Sequence, residues 1–288
     1  MAIDTVALEK TTTQAQAHIE TLIKPRLIQP VESMIFNGEA HYVDWHFERT
    51  NFKQIEVMHI TDIQYGHPMC QVNRLIEHMN WILKSPNRYF VLGGDCVDAS
   101  HALAKGHGLG QKEPQVQVIE FAQIMAPYVH RCLGYVGGNH ERRGIPMFGD
   151  LGHLIAYLMQ VPYSNAKQYV NIYFGDHKPF KIGLFHGASG GQTKGAVANQ
   201  VYRWMTQADC HYYLLGHLHQ AMVIPDNREH HDLENKCMTN EKIIGAMSTS
   251  FLEHYGTYAE IAGYKNPGKS LMAHCIIEKN GHWEVRLR

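Results

Sequence analysis

From residue 55 onward the chain repeats one rhythm: a short apolar run of strand length, a polar residue at its end, then a helix-like stretch. The apolar runs are Ile55 to Ile60, Tyr89 to Leu92, Cys132 to Val136, Lys181 to Phe185 and His211 to Leu215. Between them, Val72 to Leu83 sets Val72, Leu75, Ile76, Met79 and Leu83 on one helical face. The stretches Val116 to Met125, Leu151 to Met159 and Ala196 to Met205 repeat that spacing. Strands alternating with helices call for βαβ units and a mostly parallel sheet covered on both faces. After residue 240 the rhythm changes. Lys242 to Ser250, Leu271 to Glu278 and His282 to Leu287 read as consecutive strands, with Asn280-Gly281 as a two-residue hairpin turn.

Residues 1–50 do not share the rhythm. Ile19, Leu22 and Ile23 give a short apolar face cut by Pro25 and Pro30, which predicts one helix and a crossing segment. The expected division is therefore an extension over residues 1–50, packed on the core, and one domain over 51–288. An oligomer contact is the alternative role for the extension. With 288 residues, 44% of them hydrophobic and 18% charged, the chain is long and apolar enough for a core of its own. The formal net charge of −1, from 26 basic and 27 acidic residues, excludes a global basic field for nucleic-acid capture. No apolar run approaches the roughly 20 residues that span a bilayer, and Met1-Ala-Ile-Asp-Thr has no secretory character. The six cysteines are scattered without a CxxC, as expected of reduced thiols in a cytoplasmic protein.

Histidine is the unusual residue, 21 in 288. At that density chance alone supplies roughly one or two His-x-His pairs, so His217-x-His219 means little by itself. Position means more. Each of the five apolar runs leads at once into metal-competent side chains: Asp62-Ile-Gln64, Asp95-Cys-Val-Asp98, Asn139-His140-Glu141, His186 and His217-Leu-His219. Glycines accompany four of the five endings. Sites in open α/β sheets form at the carboxyl ends of the strands, so the five endings are expected to converge. Cys96, next to Asp95, alternates to the other face and is expected in the core.

The set Asp62-x-Gln64, Gly94-Asp95-x-x-Asp98, Gly138-Asn139-His140-Glu141, His186 and Gly216-His217-x-His219 resembles the signature blocks of the calcineurin-like metallophosphoesterase superfamily, over about residues 55–250. The likeness extends to bacterial and phage-type members without an assigned substrate. It implies an α/β fold: a four-layer α/β/β/α sandwich with two central mixed β-sheets. It further implies that Asp95 bridges two divalent ions. Asp62, Gln64 and His219 would complete one metal site, and Asn139, His186 and His217 the other. His140 would bind no metal; it would face the scissile phosphate and protonate the leaving oxygen, oriented by Asp98. Glu141 would support the ligands from behind, and Asn139 would also meet substrate.

Two divalent ions about 3.5–4 Å apart can share a carboxylate, activate a water and clamp a phosphoryl group. Oxygen and imidazole donors suit Mn, Fe, Co, Ni or Zn better than Ca. Many relatives carry histidine where this chain has Gln64, and the harder amide oxygen favours Mn2+, with Mg2+, Fe2+, Ni2+ and Zn2+ as alternatives. A similar Asp-x-Gln occurs in relatives resembling manganese-dependent ADP-ribose and CDP-alcohol diphosphatases. The expected function is a two-metal phosphoester hydrolase, a phosphodiesterase acting on nucleotides or nucleic acid. The alternatives are a phosphomonoesterase, a nucleotide diphosphatase and a non-catalytic metal-binding module. Arg142 is the expected grip on a phosphate oxygen, and Arg143 reads as a surface residue. Tyr65 and His67 are expected on the rim, His101 and His107 on a solvated loop beside Gly106 to Gly110, and Gly187 to Gly195 on a loop before a helix. His230-His231 is expected to be exposed.

Overall fold

The fold was obtained as a computed structural model, which describes residues 35–36, 39–47, 50–100, 112–188, 191, 193–253, 260 and 270–288. The expected helix around residues 19–23, the 106–110 loop, His101 and His107 lie outside these residues. Short strands β1 (Ile35–Phe36) and β2 (Glu39–Ala40) form a separate antiparallel pair. The others are β3 (Tyr42–His46), β4 (Gln54–Ile60), β5 (Arg88–Leu92), β6 (Cys132–Val136), β7 (Tyr163–Ser164), β8 (Lys167–Tyr173) and β9 (Phe180–Phe185). They continue with β10 (Tyr212–Leu215), β11 (Met222–Asp232), β12 (Cys237–Met247), β13 (Ala273–Glu278) and β14 (Trp283–Leu287).

These strands build two six-stranded mixed sheets, in the orders β14-β13-β4-β5-β6-β7 and β11-β12-β10-β9-β8-β3. The five apolar runs are thus divided, with β4, β5 and β6 parallel in one sheet and β9 and β10 parallel in the other. The two mixed sheets are those the family resemblance implied, where the local rhythm alone suggested one. The near-continuous apolar character of the runs is still explained, because each sheet is covered on both faces, by helices outside and by the other sheet inside.

Three buried clusters trace the layers. Helices Val72–Leu83, Pro114–Met125 and Leu151–Met159 pack Leu75, Met79, Val118, Phe121 and Ile155 against Met58, Ile60, Phe90 and Leu92. On the opposite faces of those strands, Ile55, Val57, Tyr89 and Val91 meet Ile182, Leu184, Tyr212 and Leu214 between the sheets. Helix Lys194–Met205 then covers the outer face of the second sheet with Val197, Val201 and Trp204 against Tyr213 and Leu215. The period-two alternation along β4, β5 and β10 produces this stacking. The result is a four-layer α/β/β/α sandwich.

Three strands depart from the expected rhythm. In β8 only Gln168, Val170 and Ile172 point inward, so the segment carries little apolar signal. β11 is an edge strand rich in charge and bearing Pro225, tolerated there because one side of its ladder needs no partner. Its pairing extends β12 back to Cys237. β3, within residues 1–50, closes the other edge beside β8. The β13–β14 turn is also one residue longer than expected. Glu278 pairs with His282, and Gly281 takes φ 87° in a three-residue loop. Among the described residues no helix is long and apolar enough to cross a membrane.

Where β13, β4 and β5 lie side by side, the register sets Glu56 beside Arg88 and two residue pairs along the ladder from His274. Arg88 Nε (3.2 Å) and His274 Nε2 (3.1 Å) both reach the Glu56 carboxylate. Burial pushes this carboxyl up, but the hydrogen bonds from His274 and Gln54 and the Arg88 charge outweigh it and hold it at about 2. The stabilisation is therefore present above about pH 4.5 and is lost as pH falls toward 2, a term on the order of 1–2 kcal/mol after solvent screening. Urea unfolding of Glu56→Gln should show a shallower loss of midpoint between pH 5 and pH 3 than wild type; parallel losses would contradict this.

Candidate metal centre

The loops after β4 and β5 keep hydrogen-bonding to each other beyond the regular ladder. Asp62 N donates to Gly94 O (2.9 Å), Gln64 N to Asp95 O (2.8 Å) and Tyr65 N to Cys96 O (2.9 Å). Their path needs left-handed backbone at Asp62, Gln64 and Asp95, with φ of 52°, 51° and 52°. His217 and His219, after β10, have φ of 71° and 55°. Such residues cost of order 1–3 kcal/mol each and persist where the surroundings over-determine them. Five of the eight non-glycine residues with positive φ among the described residues are these candidate ligands, so the strain is concentrated here.

Close approach demands glycine at two points. A Cβ on Gly138 would lie 2.0 Å from Asp95 Oδ1, and one on Gly216 would lie 2.6 Å from Asp62 Oδ2. Glu141, fully buried, fixes the same loops from behind. Its carboxylate accepts from Asp95 N (3.0 Å), Cys96 N (2.6 Å), Gly138 N (2.9 Å) and Tyr135 OH (3.2 Å). Cys96 itself is in the core, as expected.

The strand ends of both sheets meet at Asp95, which is 1% exposed. Asp95 Oδ1 accepts from His140 N (2.8 Å), and Oδ2 lies 3.2 Å from His186 Nε2. His186 Nδ1 donates to Gly93 O (2.7 Å), because a carbonyl can only accept. Its Nε2 lone pair in the neutral ring therefore faces Asp95 Oδ2 and Asn139 Oδ1 (3.1 Å). Three acceptors aimed at one point repel unless a proton or cation lies between them. Ligand atoms of Asp95, His186 and His217 all fall within 4.8 Å of one another. The donor set of carboxylate, amide oxygen and imidazole fits a divalent transition ion.

In a second group, Asp62 Oδ1 lies 3.1 Å from His219 Nε2, and His217 N donates to both Asp62 oxygens. Gln64 Nε2 lies 3.5 Å from His219 Nε2 and 3.4 Å from His140 Nε2. A half-turn of the Gln64 amide exchanges its nitrogen and oxygen and presents Oε1 to the same point. Burial pushes the carboxyls of Asp95 and Asp62 up, but the neighbouring histidines outweigh it and hold both below the usual range. Burial lowers His186, but Asp95 and Asp62 raise it to about 10. His217, half-buried beside His186, is lowered by that burial and by the His186 charge.

His140 lies at the edge of this group, its Nε2 3.7 Å from Asp95 Oδ2. Its Nδ1 donates to the main-chain carbonyl of Asp98 (2.7 Å), and the Asp98 carboxylate stands off at 3.4 Å. Arg143, read from sequence as a surface residue, instead directs Nη1 to the same carbonyl (3.3 Å) beside the His140 ring. Arg142 turns its Nη2 to the carbonyls of Gly137 and Asn165. Tyr65 donates to Glu120 (2.8 Å), and His67 accepts from Met69 N (3.1 Å). Thr193 caps helix Lys194–Met205 through Ala196 N (3.2 Å). His230 and His231 are exposed on β11. Gln117, which the sequence did not single out, is fully buried behind the loop that carries Asp98.

No curated protein matches the sequence. Solved structures that align with it include a predicted phosphoesterase from Streptococcus pneumoniae, 11% identical over 82% of this chain and 99% of that one, with a TM-score of 0.35. The calcineurin-like phosphoesterase YfkN from Bacillus subtilis aligns at 12% identity over 81% and 88%, with a TM-score of 0.40. A protein serine/threonine phosphatase from Saccharomyces cerevisiae aligns at 12% identity over 96% and 89%, with a TM-score of 0.40. Residues 55–221, more than half of the chain, match the calcineurin-like phosphoesterase family model, and the chain belongs to that family.

Proposed function

We propose that this phosphoester hydrolase is a manganese-dependent phosphodiesterase acting on a nucleotide or nucleic-acid substrate. The observation that carries the reading is the buried Asp95 carboxylate with ligand atoms of His186 and His217 within 4.8 Å and Asn139 Oδ1 on the same His186 nitrogen, and a second group in which His219 Nε2 lies by Asp62 and Gln64. In this reading those two groups would hold a pair of divalent ions, with Asp95 as the carboxylate common to both. The family uses divalent metals, and a bound pair supplies activated water near neutral pH and offsets phosphoryl charge. The remaining work falls to the chain. His140, with Nδ1 tied to the Asp98 carbonyl, keeps Nε2 toward the centre and hands its proton to the leaving oxygen. Glu141 keeps Asp95 in place. Arg143 brings positive charge beside His140.

Two features support the finer assignment. Arg142 commits Nη2 to backbone carbonyls, leaving Arg143 as the guanidinium beside His140. A single guanidinium suits the one negative charge of a diester better than the two of a monoester. Gln64 offers an amide oxygen, a harder donor than imidazole, which favours manganese.

Metal-stripped protein reconstituted ion by ion should be most active with Mn2+ and should cleave bis-p-nitrophenyl phosphate faster than p-nitrophenyl phosphate. Activity confined to zinc, or a monoester preference, would overturn those assignments. His140→Ala should lower kcat on phenyl-leaving diesters by about 10²–10³-fold while metal content stays at the wild-type level. Asp95→Ala should lose bound metal and activity together. Unchanged turnover in the first, or full metal content in the second, would remove that residue from its role.

A further inference from the structure

The sequence reading singled out no residue on helix Pro114–Met125, yet the buried stripe of that helix contains one polar side chain. Gln117 sits among Val118, Phe121 and Ala122 with no exposure to solvent. A buried amide is costly unless both of its ends are satisfied. Both are: Oε1 accepts from Ala99 N (2.9 Å), and Nε2 donates to Lys112 O (2.7 Å). The two partners fix which end is oxygen and which is nitrogen.

The Ala99 N–H belongs to the same peptide unit as the Asp98 carbonyl. That carbonyl accepts His140 Nδ1–H at 2.7 Å. In a trans peptide the N–H and C=O point in opposite directions, so Gln117 and His140 engage one peptide from its two sides. The chain runs from Gln117 Oε1 through the 98–99 peptide to His140 Nδ1. Hydrogen bonds in such a row polarise one another in a low-dielectric interior. The peptide is also strained, with Ala99 at φ 47°, so it needs an external hold. Gly66 makes room for that hold: a Cβ there would come 2.3 Å from Gln117 Cδ.

The geometry points to Gln117 as a positioning residue for His140. It holds the 98–99 peptide so that the Asp98 carbonyl accepts the Nδ1–H of the His140 imidazolium, which leaves Nε2–H aimed at the leaving oxygen and the neutral Nδ1–H tautomer once that proton has been given up. This rests on the reading of His140 as proton donor. The role is indirect, since Gln117 touches neither substrate nor metal ligand in the hydrogen bonds described.

The test compares Mn2+-loaded wild type, Gln117→Leu, Gln117→Glu and His140→Ala on two thymidine 5′-phosphodiesters, one with a p-nitrophenyl and one with a phenyl leaving group. The phenyl ester needs the proton more. Gln117→Leu should lower kcat on the phenyl ester by about tenfold or more, leaving kcat on the p-nitrophenyl ester, both KM values and metal content within about threefold of wild type. Gln117→Glu, which keeps the acceptor, should return the phenyl rate to within about threefold of wild type. Equal losses on both esters, or a change in KM alone, would overturn the inference. His140→Ala separates the two levels. Selective loss in His140→Ala without it in Gln117→Leu defeats only the role of Gln117. Absence of selectivity in His140→Ala defeats the proton-donor reading itself. A second readout is independent of turnover and covers poor folding of Gln117→Leu. In metal-free protein, the 15N spectrum of His140, identified by its loss in His140→Ala, should report the Nδ1–H tautomer in wild type and Gln117→Glu. Gly66→Ala, which displaces the same side chain, should show a tautomer mixture; an unchanged wild-type pattern there would contradict the proposal.

Discussion

The site depends on a carboxylate that water does not reach. Asp95 is buried at the point where the two sheets turn their strand ends toward each other. An isolated charge there would cost several kcal/mol, and burial favours protonation. The surroundings answer this with the His140 N–H on one oxygen and the His186 ring beside the other. They also create a shortage of positive charge. Asp62 and Asp95 draw the backbone N–H groups of His217 and His140 and raise the affinity of His186 for a proton. Two buried carboxylates beside three imidazoles attract positive charge, whether a proton or a metal ion.

Holding that arrangement requires backbone the chain would otherwise avoid. The left-handed conformations at Asp62, Gln64, Asp95, His217 and His219 break the strand path where the loops begin. The cost is offset by the layers beneath. Apolar side chains from β4, β5 and β6 are packed on both faces, as are those from β9 and β10. The rigid sheets let short loops at their edges keep strained shapes. Glu141 and Gln117 do the local fastening, each by accepting backbone N–H groups of the 95–99 loop.

Much of this was legible in the sequence, for a physical reason. Strands buried on both faces must be apolar throughout, so β4, β5, β6, β9 and β10 stand out, and the polar residue ending each run marks the site edge. β8 and β11 did not stand out. β8 shows only three inward residues, one of them Gln168, and β11 is a charged edge strand whose identity comes from pairing with β12. The division into two sheets is a long-range fact that local periodicity does not carry. At the site, residue types were readable and hydrogen-bond partners were not. Asp98 was expected to steer His140 by its carboxylate, but its main-chain carbonyl is the nearer group. Arg142 and Arg143 are adjacent in sequence, yet one is tied to Gly137 and Asn165 and the other lies beside His140. Gln117 was detectable only as a polar residue on an apolar helical stripe.

The proposed function requires side chains from both sheets to hold a pair of cations around Asp95. The most direct measurement is an anomalous-difference map from crystals loaded with Mn2+. The account predicts two peaks about 3.5–4 Å apart with the Asp95 carboxylate between them, His186 and His217 on one ion, and His219 with Gln64 Oε1 on the other. A lone peak, or peaks that Asp95 does not touch, would contradict it.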